Sequence, residues 1–126
     1  MKKLSYLLGL LLLATIASLP FLKKEMNGDN IKVSVSETKQ EYRFEASFNE
    51  DKSEAVAQYM DDYLDQKIFE NAQINAAMRL NDGTQIYAKT DDGEVKIRLN
   101  KQDNSRESYE KIKKMGEGIN RILTKK

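Results

Sequence analysis

The sequence predicts an α+β fold: a two-layer sandwich with the element order ββαβββα, in which both helices cover one face of an antiparallel sheet. Three observations predict it. Short runs alternate apolar and polar residues, two Asp-Gly turns separate such runs, and two longer segments repeat apolar residues at helical spacing. The apolar face of such strands and the apolar stripe of each helix are both buried when the two helices lie on the same side of the sheet.

The chain begins with a predicted signal peptide or transmembrane anchor at residues 1–23. A basic pair precedes an uncharged, mostly apolar stretch at 4–22. If the segment is a signal peptide, the small residues Thr15 and Ala17 predict cleavage between Ala17 and Ser18. For retention, this stretch is just long enough to cross about 30 Å of hydrocarbon as a helix, so that residues 1–23 would contact the membrane. Cleavage is favoured because the stretch is short for a span and contains Pro20.

A tether is predicted at residues 24–30, where charged residues and a glycine follow the apolar stretch, and a single folded domain at 31–126. The domain opens with two half-buried strands that alternate with polar residues. Their apolar positions are Ile31, Val33 and Val35, then Tyr42, Phe44, Ala46 and Phe48. A turn near Lys39 and Gln40 joins these strands in a hairpin.

The first helix is predicted over residues 52–67. Asp51, followed three residues later by Glu54, forms the pattern of a capping box. The apolar stripe of this helix is Val56, Tyr59, Met60, Tyr63 and Leu64. Tyr59 and Tyr63 are predicted to lie opposite Phe44, where an aromatic pocket between helix and sheet could hold an apolar ligand, although an ordinary core is the favoured reading.

Three aspartates, Asp61, Asp62 and Asp65, lie near the end of this helix. Such a cluster could indicate a cation site or an acid/base pair. On a helical wheel, however, all three are predicted on the solvated side, away from the apolar stripe. There a carboxylate keeps ordinary acidity, so the cluster predicts a solvated surface.

A three-stranded meander follows, with turns at Gly83 and Gly93, because Asp-Gly between alternating runs is a strong hairpin signal. Asn104 with Glu107 predicts the cap of a second helix. The stripe of that helix is Tyr109, Ile112, Met115, Ile119, Ile122 and Leu123. Its exposed face carries three acid-before-base pairs at i, i+4: Glu107 and Lys111, Glu110 and Lys114, and Glu117 and Arg121.

Two glycines stand inside this second helix, where each costs about 1 kcal/mol relative to alanine. Gly116 lies within the apolar stripe, so it is predicted to permit a close approach to the sheet. Gly118 is predicted to point outward, and its role is not explained by the pattern.

The composition of the 126 residues excludes several kinds of chemistry. There is no cysteine and no histidine, which removes thiolate nucleophiles, sulfur-based zinc sites, histidine triads and histidine metal ligands. The net charge of +1 includes four lysines in or next to the leader, so the rest of the chain has 17 basic and 20 acidic residues. This balance argues against a general nucleic-acid binder. We expect no cofactor, no metal and no catalytic role.

The meander is predicted to present a basic patch on the sheet face that the helices leave open. Its members share outward-facing strand positions: Arg79, Tyr87, Lys89, Lys96 and Arg98. Such a patch suits carboxylates, phosphates or sugar acids, and an exposed tyrosine beside arginine is typical of an interface hot spot. The alternative is a sheet surface kept soluble by lysine and arginine.

These features favour a non-catalytic, extracytoplasmic interaction module that binds a protein or envelope component through its open sheet face. It would be periplasmic, secreted or tethered to the membrane by its N-terminus. The alternative is a small carrier of an apolar ligand or lipid, using the space between helices and sheet. An enzyme would have to work with Asp, Glu, Lys or Tyr alone.

Overall fold

A computed structural model describes residues 30–125 of the chain. Its strands are β1 (Lys32–Glu37), β2 (Glu41–Ser47), β3 (Ile74–Arg79), β4 (Gln85–Asp91) and β5 (Glu94–Asn100). Its helices are α1 (Ser53–Leu64) and α2 (Arg106–Thr124), each preceded by a short 3₁₀ turn. The predicted α+β class and the order ββαβββα are confirmed. The leader at 1–23 and most of the tether lie outside the described residues.

One antiparallel sheet contains all five strands, in the spatial order β1-β2-β5-β4-β3. The central pairing joins β2 to β5, which are about fifty residues apart along the chain, and sets Phe44 opposite Ile97. The predicted hairpin and the predicted meander therefore merge side by side into a single sheet. Strands β1 and β3 form its two edges.

The core lies on one face of this sheet, which we call the inner face. Its main strand residues, all at most 4% exposed, are Tyr42, Phe44, Ala46, Ile86, Ala88, Val95, Ile97 and Leu99. Both helices cover this face with residues that are 2% exposed or less: Val56, Met60, Ile112, Met115, Ile119 and Leu123. The alternation of apolar and polar residues along each strand thus separates a buried face from an uncovered one.

The turns confirm the local chemistry read from the sequence. Between β1 and β2, the Thr38 hydroxyl oxygen accepts hydrogen bonds from the backbone N–H groups of Gln40 and Glu41, at 3.1 and 3.0 Å. Gly83 and Gly93 have φ angles of 92° and 77°, a region that favours glycine. These contacts fix the register of each hairpin.

Helix α1 begins differently from the prediction. Asp51 lies in the 3₁₀ turn Glu50–Lys52, and no side chain caps the first turn of α1, so the predicted capping box is wrong. The helix ends at Leu64, before the predicted residue 67, because Asp65 takes the left-handed conformation with φ 56° and ψ 40°. A residue in that conformation stops helical hydrogen bonding.

Helix α2 is capped by Ser105, not by the predicted Asn104. The Ser105 hydroxyl oxygen accepts a hydrogen bond from the backbone N–H of Ser108 at 3.0 Å. The Asn104 side chain instead pairs with the backbone of β4, where it accepts from the N–H of Gln85 at 2.8 Å and donates to its carbonyl at 3.0 Å. The start of the interior strand β4 supplies this partner, which the local sequence pattern does not show.

Asp61 is buried, which corrects the prediction that all three aspartates are solvated. It is 4% exposed, whereas Asp62 and Asp65 are exposed as predicted. One oxygen of Asp61 accepts hydrogen bonds from the N–H groups of Ile68 and Phe69, at 2.9 and 2.8 Å, and the other accepts from Glu70 at 3.0 Å. The loop after α1 folds back over the helix and supplies these donors, which satisfy the oxygens of the buried carboxyl group.

The two glycines of α2 both make room for aromatic side chains. A Cβ at Gly116 would collide with the Tyr42 hydroxyl and lie 3.2 Å from the Phe44 ring, so the predicted close approach is confirmed. A Cβ at Gly118 would collide with Tyr59 of α1. The outward placement of Gly118 is wrong because α1 lies beside α2 and covers the side of that helix on which Gly118 lies.

The exposed face of α2 uses ion pairs other than the predicted ones. Within the described part of the chain, none of the three predicted i, i+4 pairs is closer than 4.0 Å. Arg106 pairs with Glu110 at 3.5 Å, and Lys111 reaches across to Asp82 in the turn before β4, at 2.5 Å. The helix is therefore tied to the sheet by a tertiary contact.

We expect the Asp82–Lys111 pair to stabilise the fold in a defined pH window. The hydrogen bond from Lys111 lowers the pKa of Asp82 from 3.8 to about 2. A lowered folded-state pKa gives stability that is complete above pH 4 and is lost as the pH falls toward 2. Because the Asp82 side chain is 47% exposed, its contribution is only about 0.5 kcal/mol. Urea unfolding at pH 4.5 and pH 2.5 should show a smaller drop for Asp82→Asn than for the unmodified chain; equal drops would contradict this.

No helix within residues 30–125 is long and apolar enough to cross a membrane.

Candidate binding face

The five residues predicted to form a patch all lie on the sheet face opposite the core, which we call the outer face. The strand register sets Tyr87 of β4 directly opposite Arg98 of β5, and Lys89 directly opposite Lys96. Arg79 lies at the end of edge strand β3, opposite Gln85. Strand pairing therefore brings four of the five together as two adjacent rows, with Arg79 at their margin.

Arg98 and Tyr87 form the centre of this face. The Arg98 guanidinium lies over the Tyr87 ring, 4.4 Å from its centroid, within the range of a cation–π contact. The Tyr87 hydroxyl donates a hydrogen bond to the Asn75 side chain on β3 at 2.5 Å. This contact and the hydrogen bond hold the ring in place, and Arg98 remains exposed.

Lys89 and Lys96 share one carboxylate. Glu94, one outward position before Lys96 on β5, lies 3.4 Å from the Lys89 ammonium and 3.7 Å from that of Lys96. Two like charges directly opposite on neighbouring strands repel each other. The single Glu94 side chain offsets this repulsion, and all three side chains are about one-third exposed.

Arg43 belongs to the same face, although it was absent from the predicted patch. The β2–β5 pairing sets Arg43 directly opposite Arg98, which makes a second like-charged pair. Arg43 forms an ion pair with Glu41 at 3.1 Å, and its Nε is buried without a hydrogen-bond partner. Because Tyr42 and Phe44 point into the core, alternation along β2 indicates that the Arg43 side chain points outward. The sequence pattern contains no signal for the pairing of β2 with β5.

A second polar cluster that the sequence did not reveal joins the first hairpin to α2. Glu37, at the end of β1, accepts hydrogen bonds from the Tyr109 hydroxyl and from Lys101 at 2.9 Å, and lies 3.5 Å from Lys113. Partial burial raises the pKa of Glu37, but the hydrogen bond from Tyr109 and the two ammonium groups outweigh this effect and hold it below its ordinary value. The cluster locks an edge strand to the helix layer.

The aromatic residues predicted to surround an apolar ligand pack against the glycines of α2. Phe44 is 1% exposed and lies under Gly116, while Tyr59 contacts Gly118 and lies 5.8 Å from the Tyr63 ring, between centroids. A hollow of about 130 Å³ lies beside edge strand β1, and an open groove of about 520 Å³ runs beside Tyr63 along the first turns of α2. The apolar-ligand carrier stays a prediction.

The described part of the chain contains no group of three or more carboxylate side chains that could hold a metal ion. The outer face instead carries two like-charged pairs of cations and one aromatic ring in contact with Arg98, with the carboxylates of Glu41, Glu45 and Glu94 among them. That chemistry suits the binding of anions.

Comparison of the chain with protein-family models, curated proteins and solved structures found no match. The class that fold and face define is a small α+β sandwich with an uncovered, cation-bearing sheet face.

Proposed function

We propose that this protein is a non-catalytic, extracytoplasmic interaction module that binds a protein or envelope component through the outer face. One observation carries the proposal: Arg43, Arg98, Lys89 and Lys96 form two directly opposed like-charged pairs beside an ordered tyrosine. Opposed like charges destabilise a sheet. Glu94 and Glu41 offset part of this repulsion, and a partner with complementary charge would offset more of it.

The side chains of the outer face also have the composition of an interface. Tyrosine and arginine are, with tryptophan, enriched at binding hot spots. In this chain the Arg98–Tyr87 contact places both types at the middle of the sheet, on β5 and β4. Both helices cover the inner face, so nothing in residues 30–125 covers this centre.

The location outside the cytoplasm rests on residues 1–23, with their basic start and apolar stretch. In this proposal the segment is either removed between Ala17 and Ser18 or kept as an anchor that tethers the domain beside the membrane. Intact-mass measurement on protein from the native host separates the two. Loss of the first seventeen residues means release, and their retention means tethering.

We expect charge reversal on the outer face to abolish partner capture. The test variant carries Arg79→Glu, Lys96→Glu and Arg98→Glu, and the full chain is used to capture partners from envelope extracts of its native host. Reversing three cations changes attraction for an anionic surface into repulsion, so at least a tenfold loss of captured partner is expected. Quantitative mass spectrometry of the captured proteins provides the measurement.

A matched variant reverses three exposed cations on α2 and just after it: Lys114→Glu, Arg121→Glu and Lys125→Glu. It has the same net charge and should retain capture. Circular dichroism checks that both variants are folded. If the outer-face variant is folded and captures the same partner as the unmodified chain, the assignment of the binding face is wrong.

A further inference from the structure

We propose that the outer face binds an acidic protein surface whose carboxylates take the place of Glu94 between Lys89 and Lys96. This inference rests on the proposed function and names the chemistry of the partner. It begins from the arrangement of the cations, which is known only once the order β2-β5-β4 is known.

The four cations form a path across three strands, and the carboxylates of Glu41, Glu45 and Glu94 lie beside it. Arg43 on β2 lies opposite Arg98 on β5, Lys96 is the next outward position on β5, and Lys89 on β4 lies opposite Lys96. Directly opposed residues lie about 5 Å apart, and successive outward residues of one strand lie about 7 Å apart. Carboxylates at alternate positions of an extended segment have the same spacing of about 7 Å.

Glu94 shows what kind of group this path accepts. Its two oxygens already reach the two lysines, one at 3.4 Å and the other at 3.7 Å. A carboxylate of a partner could replace it there, and Glu94 would then compete with the partner for the same ammonium groups. The Arg98 guanidinium carbon lies 4.4 Å from the centroid of the Tyr87 ring and the side chain is exposed, so its N–H groups can pair with a second carboxylate.

The geometry favours a protein over a polymer of sugar acids. Arg98 occupies one face of the Tyr87 ring, and the hydroxyl is held by Asn75, so the ring is not free to stack broadly on a sugar. The two hollows described above lie on the helix side and at the β1 edge, whereas the outer face is a pleated surface spanning five strands. Broad surfaces with a central tyrosine and arginine are typical of protein partners.

The first test measures how Glu94 affects affinity for an acidic probe. The probe is a fluorescein-labelled peptide of ten glutamates, titrated with the full chain in neutral detergent micelles and followed by fluorescence anisotropy. We expect Glu94→Gln to bind the probe about threefold more tightly, because it frees two lysines from a weak surface ion pair each. Glu107→Gln, an equal change of charge at an exposed position on α2, should leave the affinity unchanged.

The second test removes the cations. Arg98→Gln, Lys89→Gln and Arg43→Gln should each weaken peptide binding at least about threefold, whereas Lys114→Gln on α2 should not. Arg43→Gln is the most discriminating of these variants, because only the β2–β5 pairing places Arg43 on the path. An unchanged affinity for Arg43→Gln, or an equal gain for Glu94→Gln and Glu107→Gln, would overturn the displacement of Glu94 by a partner.

Polygalacturonate and inorganic phosphate, added as competitors, test the class of partner. If the peptide is displaced only at much higher polygalacturonate carboxylate concentrations, the acidic-protein assignment holds. If polygalacturonate binds as tightly as the peptide or more tightly and still requires Arg98, the proposed function survives and this inference fails. If none of the outer-face variants alters the binding of either probe, both fail. Displacement by millimolar phosphate would show a simple anion site and would also overturn the inference.

Discussion

We expect Asp61→Ala to lower the free energy of unfolding by about 3 kcal/mol. The buried carboxylate accepts three backbone N–H groups, from Ile68, Phe69 and Glu70, at 2.8 to 3.0 Å. Removing it leaves these donors without partners in the segment where the chain leaves α1 for β3, and buried donors without partners are costly. Urea unfolding of the full chain, followed by far-UV circular dichroism, measures the change.

Asp62→Ala is the matched control for this prediction. Asp62 is the next residue, is exposed, and makes no side-chain hydrogen bond within the described residues, so its loss should change stability by no more than about 0.5 kcal/mol. Asp61→Asn should fall between the two, because the amide keeps one acceptor oxygen and turns the other into a donor group. Similar stabilities for Asp61→Ala and Asp62→Ala would show that the three hydrogen bonds do not hold the loop.

The second large effect is expected at Gly116, for which Gly116→Leu should cost about 3 kcal/mol. The Tyr42 hydroxyl and the Phe44 ring occupy the space that the new side chain needs, and both residues are almost fully buried. The gain in helix propensity, about 0.8 kcal/mol, is too small to compensate. Chemical denaturation of the full chain provides the measurement.

Lys114→Leu tests whether this cost comes from packing against the sheet. Lys114 is an exposed position on the same helix, so leucine there places the same side chain on α2 without meeting the core, and its helix propensity is close to that of lysine. We expect its stability to remain within about 0.5 kcal/mol of that of the unmodified chain. A Gly116→Leu variant as stable as Lys114→Leu would mean that α2 does not lie as close to β2 as described.

The sequence predicted the elements because their signals are local. Alternation identified the strands, positive-φ turns identified the hairpins at Gly83 and Gly93, and helical spacing identified both helices. The sequence pattern placed Asp61 and Gly118 on the exposed sides of their helices, although both are buried, and the reason is physical. A helical wheel has one apolar stripe, but a helix in this sandwich has a second covered side where a loop or the neighbouring helix packs.

The sequence predicted which way the residues of the candidate face point, but it did not predict that Arg43 belongs to that face. Alternation shows which way Arg98, Tyr87 and Arg43 point, since inward and outward residues alternate in any strand. Which strands are neighbours depends on long-range pairing, and the pairing of β2 with β5 decides that Arg43 joins the face. The cluster of Glu37 with Tyr109 was missed for the same reason, because 72 positions separate the two residues.

Site-specific photo-crosslinking in the native cell tests most directly whether the partner contacts the outer face. A photoreactive amino acid is placed at position 77, where Ala77 is exposed opposite Tyr87, and in a second variant at the exposed position 114 on α2. We expect a discrete protein adduct from position 77 and none of the same mass from position 114. An adduct from position 114 alone, or no adduct from position 77, would contradict this expectation.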